Sequence, residues 1–119
     1  MQPEDRDAAY LWDMLQTARE VEEMLEDRDL AAFLADRVLL RAIERGVEII
    51  GQAARRVSPP YATAHPEIPW RVIIGQRNIL AHEYGQIDHE LLYKTAVEDI
   101  SRLIEQIQTL LPPLEEDEA

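Results

Sequence analysis

The sequence predicts an all-α antiparallel bundle of four to five helices, and three observations carry that prediction. Four stretches place apolar residues at i, i+3, i+4 and i+7, the spacing that gathers side chains on one helix face. No stretch alternates apolar and polar residues convincingly, as a half-buried strand does. Prolines gather between or after the periodic stretches, from Pro59 to Pro69 and at Pro112-Pro113, where they end helices.

The first helix is expected from about Asp5 to Asp27, with Tyr10, Leu11, Met14, Leu15, Ala18, Val21, Met24 and Leu25 on its apolar face. The second is long, from about Leu30 to Val57, where Leu39, Ile43, Gly46, Ile50, Ala53 and Val57 step by four and three as a packing seam does. Gly46 and Ala53 are small, so a neighbouring helix can approach closely there. Leu40, Val47 and Ala54 widen the stripe, which suggests contact with more than one helix. Ser58-Pro59-Pro60 ends it, and Pro59 to Pro69 reads as a stiff loop pinned by Trp70. The third helix starts near Pro69, which suits a first turn, and runs through Val72, Ile73 and Ile74 until Gly85 stops it. The fourth spans roughly His89 to Leu111, with Leu92, Ala96, Val97, Ile100, Leu103, Ile104, Ile107 and Leu111 on its apolar face.

A chain of 119 residues suits one domain, here residues 1–114, followed by an acidic tail over 115–119 that is expected to be disordered. Cysteine is absent, which excludes disulfides and thiolate chemistry. No apolar run is long enough for a membrane span, and the acidic start Met1-Gln2-Pro3-Glu4-Asp5 is unlike a signal peptide. A soluble, cytoplasmic protein is expected.

The net charge of −12 argues at first against a polyanionic partner. Its distribution changes that. Residues 1–36 carry eleven acids and three bases, giving −8; residues 37–94 carry eight bases and six acids, giving +2. Residues 95–114 add −2 and the tail −4. The middle is therefore slightly basic, which allows contact with RNA. The acidic ends read as solvated surface or as a grip for a basic protein.

Into that middle falls Arg77-Asn78-Ile79-Leu80-Ala81-His82-Glu83-Tyr84. Arginine can clamp a phosphate and histidine can move a proton near neutral pH, so the stretch holds the groups needed to cleave a phosphodiester. With eleven Arg and three His, an Arg-x4-His spacing arises by chance in roughly a quarter of such compositions, so spacing alone is weak evidence. Each residue also has an ordinary role: an ion pair for Arg77, a favourable helix-dipole contact for His82, a turn brace for Asn78 and a half-buried packing position for Tyr84. On a helix Arg77 and His82 lie about 140° apart, whereas Arg77 and Tyr84 lie within about 20°. Either the long arginine swings round, or the two groups meet their equivalents from a second chain. No metal-ligand spacing links His82 to His65 or His89, no Gly-rich phosphate loop is present, and Ser58 and Ser101 have no evident activating base in the sequence.

Three segments together carry a family likeness: Arg41-Ala42-Ile43-Glu44 with Glu48-Ile49-Ile50-Gly51-Gln52-Ala53-Ala54, then Ala64-His65-Pro66-Glu67-Ile68-Pro69-Trp70, then Arg77 to Tyr84. In this order they resemble the HepT-like branch of the HEPN superfamily, with Gln52 where glutamate is the commoner residue. The resemblance implies a HEPN-type helical bundle that pairs as a homodimer, with the arginine–histidine motifs facing each other in a shared cleft. It implies a metal-independent endoribonuclease without a cofactor, acting on RNA as the toxin beside a minimal nucleotidyltransferase antitoxin. Arg77 and His82 would be catalytic, Asn78 would support the site, and Tyr84 would receive AMP from the antitoxin. The alternative, from another class, is a non-catalytic helical partner that binds and regulates a minimal nucleotidyltransferase or a nucleotide. A bundle with a coincidental motif ranks below both.

Overall fold

The computed structural model describes residues 5–75 and 89–111. These residues build an all-α bundle with no strand among them. Helix α1 (Asp5–Leu25) buries Leu11, Met14, Leu15, Ala18, Val21 and Leu25, the stripe its periodicity predicts. It stops two residues before Asp27, which takes a left-handed φ of 64° and turns the chain, while the Arg28 N–H donates to the Leu25 carbonyl at 3.0 Å. Tyr10 and Met24 pack on the core but stay partly exposed.

The long second helix divides into α2 (Leu30–Ala35) and α3 (Arg37–Arg56), which corrects the single helix expected from Leu30 to Val57. Asp36 breaks it with an extended backbone (φ −110°, ψ 98°), and its carboxylate accepts the Leu39 N–H at 3.0 Å. A capping aspartate satisfies an otherwise orphaned first-turn donor, so a fresh start here offsets the lost continuity. The apolar spacing continues through the break, which is why periodicity does not reveal it. Asp29 caps α2 in the same way, accepting the Ala32 N–H at 2.8 Å.

The α3 seam is buried throughout, from Leu39 to Val57, and Val47 and Ala54 widen it while Leu40 is only partly covered. α1 and α3 run antiparallel: Asp7 near the start of α1 meets Ser58 beyond the end of α3, and Val21 near the end of α1 meets Gly46 midway along α3. The approach is close. A Cβ on Gly46 would lie 2.6 Å from Val21 Cγ2 and 3.7 Å from Thr17 Cγ2.

Past Val57 the expected loop is partly helical. α4 (Pro59–Ala64) uses two prolines in its first turn, where their missing N–H groups cost nothing, and buries Tyr61. The turn through residues 65–69 buries Ile68 and is held by Trp70, whose Nε1–H donates to the His65 carbonyl at 3.0 Å, as the stiff-loop reading expects. Helix α5 begins at Trp70 and is described through Gly75. After the undescribed stretch come α6 (His89–Lys94), a π-helical turn (Thr95–Asp99) and α7 (Ile100–Gln108), which together occupy the expected fourth helix. Within that helix the π turn is unforeseen. In it the Ile100 N–H reaches back five residues to the Thr95 carbonyl. Val97, expected on the apolar face, is 43% exposed. α7 is antiparallel to α1, with Ser101 at its start donating to Glu22 near the end of α1 at 2.9 Å. Among the described residues no helix is long and apolar enough to cross a membrane.

Two outcomes test this frame. Gly46→Ala should lose about 1–2 kcal/mol of stability in urea unfolding, because overpacking against stiff Val21 outweighs a helix-propensity gain of about 1 kcal/mol. The second concerns acid. The Leu39 N–H, and more weakly the Arg28 guanidinium, holds the Asp36 carboxyl below its ordinary value of 3.8. A depressed folded value means the charged cap stabilises fully above pH 3.8 and is lost as pH falls through the lower folded value. The stability advantage of wild type over Asp36→Asn should therefore be level above about pH 5 and shrink below 3.8.

Candidate functional site

Arg77, Asn78, His82 and Tyr84 lie outside the described residues, as does the helix stop expected at Gly85. What the structure gives is the ground on either side of them. On the upstream side, α5 is tied down at its start. Trp70 is bound to the His65 carbonyl, the Trp70 N–H donates to the Ile68 carbonyl at 2.8 Å, and the Ile73 N–H donates to the Pro69 carbonyl at 3.1 Å. Gln106 of α7 adds a fourth tie, its Nε2–H donating to the Glu67 carbonyl at 2.7 Å. Downstream, His89 Nε2 meets Glu44 Oε2 of α3 at 2.8 Å. Tyr93 donates its hydroxyl proton to the Arg28 carbonyl at 2.6 Å and tilts its ring against Phe33. Both flanks of the motif are thus anchored to the bundle, the upstream one to the preceding turn and α7, the downstream one to α3 and to the start of α2.

The other histidines have structural partners. His65 Nδ1 lies 3.1 Å from Glu67 Oε2, and the Glu67 carboxyl sits below its ordinary value of 4.5, first through its own backbone N–H and then through His65. Among the described residues no group of three or more His, Asp or Glu is placed to hold a metal ion. Glu22 accepts a hydrogen bond from the Ser101 hydroxyl, a surface bridge between α1 and α7 and no catalytic pair.

Ser58 does have a carboxylate beside it, which sequence reading missed. Asp7, only 3% exposed, accepts the Ser58 hydroxyl at 2.6 Å and the Ser58 N–H at 2.9 Å. Nothing in a highly charged first helix distinguishes this aspartate, because its partner is 51 residues away. Among the described residues no imidazole is hydrogen-bonded to the pair. Its geometry is that of a tie, joining the start of α1 to the residue that precedes α4. Deeper in, the Tyr61 ring lies 4.5 Å from the His65 ring, and burial, with Asp7 and Glu67 adding negative charge, raises the Tyr61 phenol above its ordinary value of 10.0. Tyr61 Oη and His65 Nε2 are buried without a hydrogen-bond partner among the described residues.

Two clefts flank the π turn. One, of about 250 Å³, is walled by Val47 and Ile50 of α3, Val72 and Ile73 of α5 and Leu103 of α7, with Asp99 and Arg102 contributing polar groups. The other, of about 660 Å³, runs between α1 and the π turn and is lined by Glu22, Glu23 and Glu26 with a single Arg19. Its acids disfavour a polyanion. The cleft beside α5 is the chemically permissive one.

Comparison with known proteins supplies the remaining link. Residues 14–110 match the family described as "Ribonuclease HepT-like". A protein of Methanocaldococcus jannaschii named "Putative RNase" is 35% identical over 100 residues, covering 84% of this chain and 92% of its own length. Another of that description, from Caldanaerobacter subterraneus, is 31% identical over 86% of this chain and 91% of its own. A protein of Thermococcus cleftensis named "Probable ribonuclease HepT" is 36% identical over 79% of this chain and 86% of its own. No solved structure matches significantly.

If Asp7 is a tie, Asp7→Ala should destabilise the protein by about 2–4 kcal/mol, since two hydrogen bonds to a buried carboxylate are lost and two donors are left unpaired. Equilibrium unfolding measures this. RNA cleavage per folded molecule should stay at the wild-type level; a much larger loss of cleavage than of folded protein would assign Ser58 a catalytic role.

Proposed function

The chain belongs to the HepT-like ribonuclease family, an endoribonuclease family, and on that premise we propose that it is the toxin of a toxin–antitoxin pair, cleaving RNA without a metal through Arg77 and His82. The observation that carries this reading is that the family match spans residues 14–110 and contains the whole run from Arg77 to Tyr84. The anchored flanks support it.

The chemistry follows from the residue types. The ribose 2′-hydroxyl attacks the adjacent phosphorus, the bond to the leaving 5′-oxygen breaks, and a 2′,3′-cyclic phosphate forms. A neutral His82 takes the hydroxyl proton, or an imidazolium from the same position protonates the leaving oxygen. Arg77 offsets the charge that grows on the non-bridging oxygens, an effect worth about 3–4 kcal/mol of barrier where a comparable donor is removed. Asn78 supports the site.

On a helix that continued through the motif, Arg77 and His82 would diverge by about 140°, which favours a cleft shared by two copies of the chain. Tyr84 would then lie near Arg77, and AMP placed on its hydroxyl by a minimal nucleotidyltransferase would bring a phosphate to the arginine and bulk into the cleft. That is the proposed off-switch. The net charge of −12 favours the alternative of a non-catalytic partner; the acids of Glu22, Glu23 and Glu26 gather at the α1 cleft, away from α5, which weakens that argument.

Purified wild-type protein should cleave single-stranded RNA in the presence of EDTA, while Arg77→Ala and His82→Ala, folded as judged by circular dichroism, should each fall by about 100-fold or more in kcat. Equal activity of wild type and both variants would remove the assignment of these residues. Co-expression with a partner nucleotidyltransferase should add AMP to Tyr84 in intact-mass and peptide spectra and abolish cleavage, and Tyr84→Phe should escape both effects.

A further inference from the structure

The cleft beside α5 lies outside the motif, and its chemistry points to a ligand. A cavity of about 150 Å³ takes up a benzene ring, so about 250 Å³ suits a nucleobase with part of its sugar. Its walls are aliphatic: Val47, Ile50, Val72 and Leu103 offer the flat apolar contact that an unstacked base requires. Val72 is 55% exposed, so this wall faces solvent and a strand can reach it. Asp99 supplies a carboxylate acceptor suited to the amino group of cytosine, adenine or guanine; uracil offers it only the ring N3–H, flanked by two carbonyl oxygens that repel a carboxylate. Arg102 Nη1 lies 3.8 Å from Asp99 Oδ1, and both side chains are more than half exposed. So long and hydrated a pair is weak and yields readily to a phosphate. The cleft also adjoins the helix that leads directly into the motif, whereas the larger cleft on the far side of the π turn is lined by glutamates.

We propose that this cleft is a base-binding subsite that holds one unpaired, amino-bearing base of the RNA strand near the cleaved bond, with Arg102 on the neighbouring phosphate. The proposal rests on the ribonuclease reading and adds a specificity determinant to it. The π turn is the enabling feature, since it brings Thr95 and Asp99 to the lining of this cleft and Ala96 and Val97 to the other.

The test combines a pocket-filling variant with substrates that lack one base. Single-stranded oligoribonucleotides, each abasic at one position in turn around the cleaved bond, are turned over by wild type, Val72→Trp and Asp99→Asn. Val72 is exposed enough for the indole to be tolerated, and circular dichroism with sedimentation checks fold and oligomeric state. In wild type one abasic position should raise KM by about tenfold or more. Val72→Trp should raise KM for the intact strand by a similar factor with kcat nearly unchanged, and should make that abasic position cost nothing further. Asp99→Asn should narrow the preference for cytosine, adenine or guanine over uracil at the same position. The subsite is overturned if Val72→Trp leaves KM unchanged or if its effect simply adds to that of the abasic substrate. It is equally overturned if Val72→Trp only shifts the monomer–dimer balance, which would make the cleft a contact between copies. Wild type that neither cleaves nor binds any of the oligonucleotides overturns the ribonuclease reading itself.

Discussion

The close antiparallel contact of α1 with α3 is the constraint on which the rest of the structure depends. It exists because position 46 carries no side chain and so admits the fully buried Val21. From that point the two helices lie side by side far enough for Asp7 to reach Ser58, which closes the lower end and sets the start of α4. α7 then packs on α1 as well, with Ile104 and Ile107 buried, and its Gln106 holds the turn before α5. A chain of packing and hydrogen bonds therefore runs from one glycine to α5, the helix that precedes the stretch from Arg77 to Tyr84.

That arrangement also separates the molecule electrically. The first 36 residues carry most of the negative charge, and they place Glu22, Glu23 and Glu26 along the cleft on the α1 side of the π turn. The cleft on the α5 side is mainly aliphatic, and its one acid, Asp99, is balanced by Arg102. For an enzyme of a ribonuclease family this asymmetry matters more than the total of −12, because a strand responds to the field within about one Debye length, roughly 10 Å at moderate salt. A strongly acidic protein can still offer RNA a permissive face.

Much of the fold was legible in the sequence, and the exceptions have specific causes. Helical periodicity located the buried stripes of α1, α3 and α7 because it reports which face meets the core. It was blind to Asp36, where the chain breaks and restarts with the apolar spacing intact, and to the π turn, where one bond reaches five residues back within an otherwise helical run. It read the Pro59–Pro69 stretch as loop because two prolines outweigh the short helix they can initiate. The motif from Arg77 to Tyr84, outside the described residues, suggests its chemistry through residue types within one short segment. Asp7 was not legible, since its role depends on a serine 51 positions away. Nor was the cleft beside α5, whose lining comes from three separate segments of the chain.

The sequence by itself determined the class of fold, the identity of the packing seam including the need for a small residue at Gly46, and the family likeness through segments that each lie within a few turns of chain. Those are local properties, and local spacing records them. Only the tertiary structure decided where α2 ends and α3 begins, how Asp7 and Glu44 anchor distant segments, and which of two clefts is acidic and which apolar. These depend on which atoms meet across the bundle. Such contacts are set by the packing of side chains far apart in the chain, and no periodicity along it encodes them.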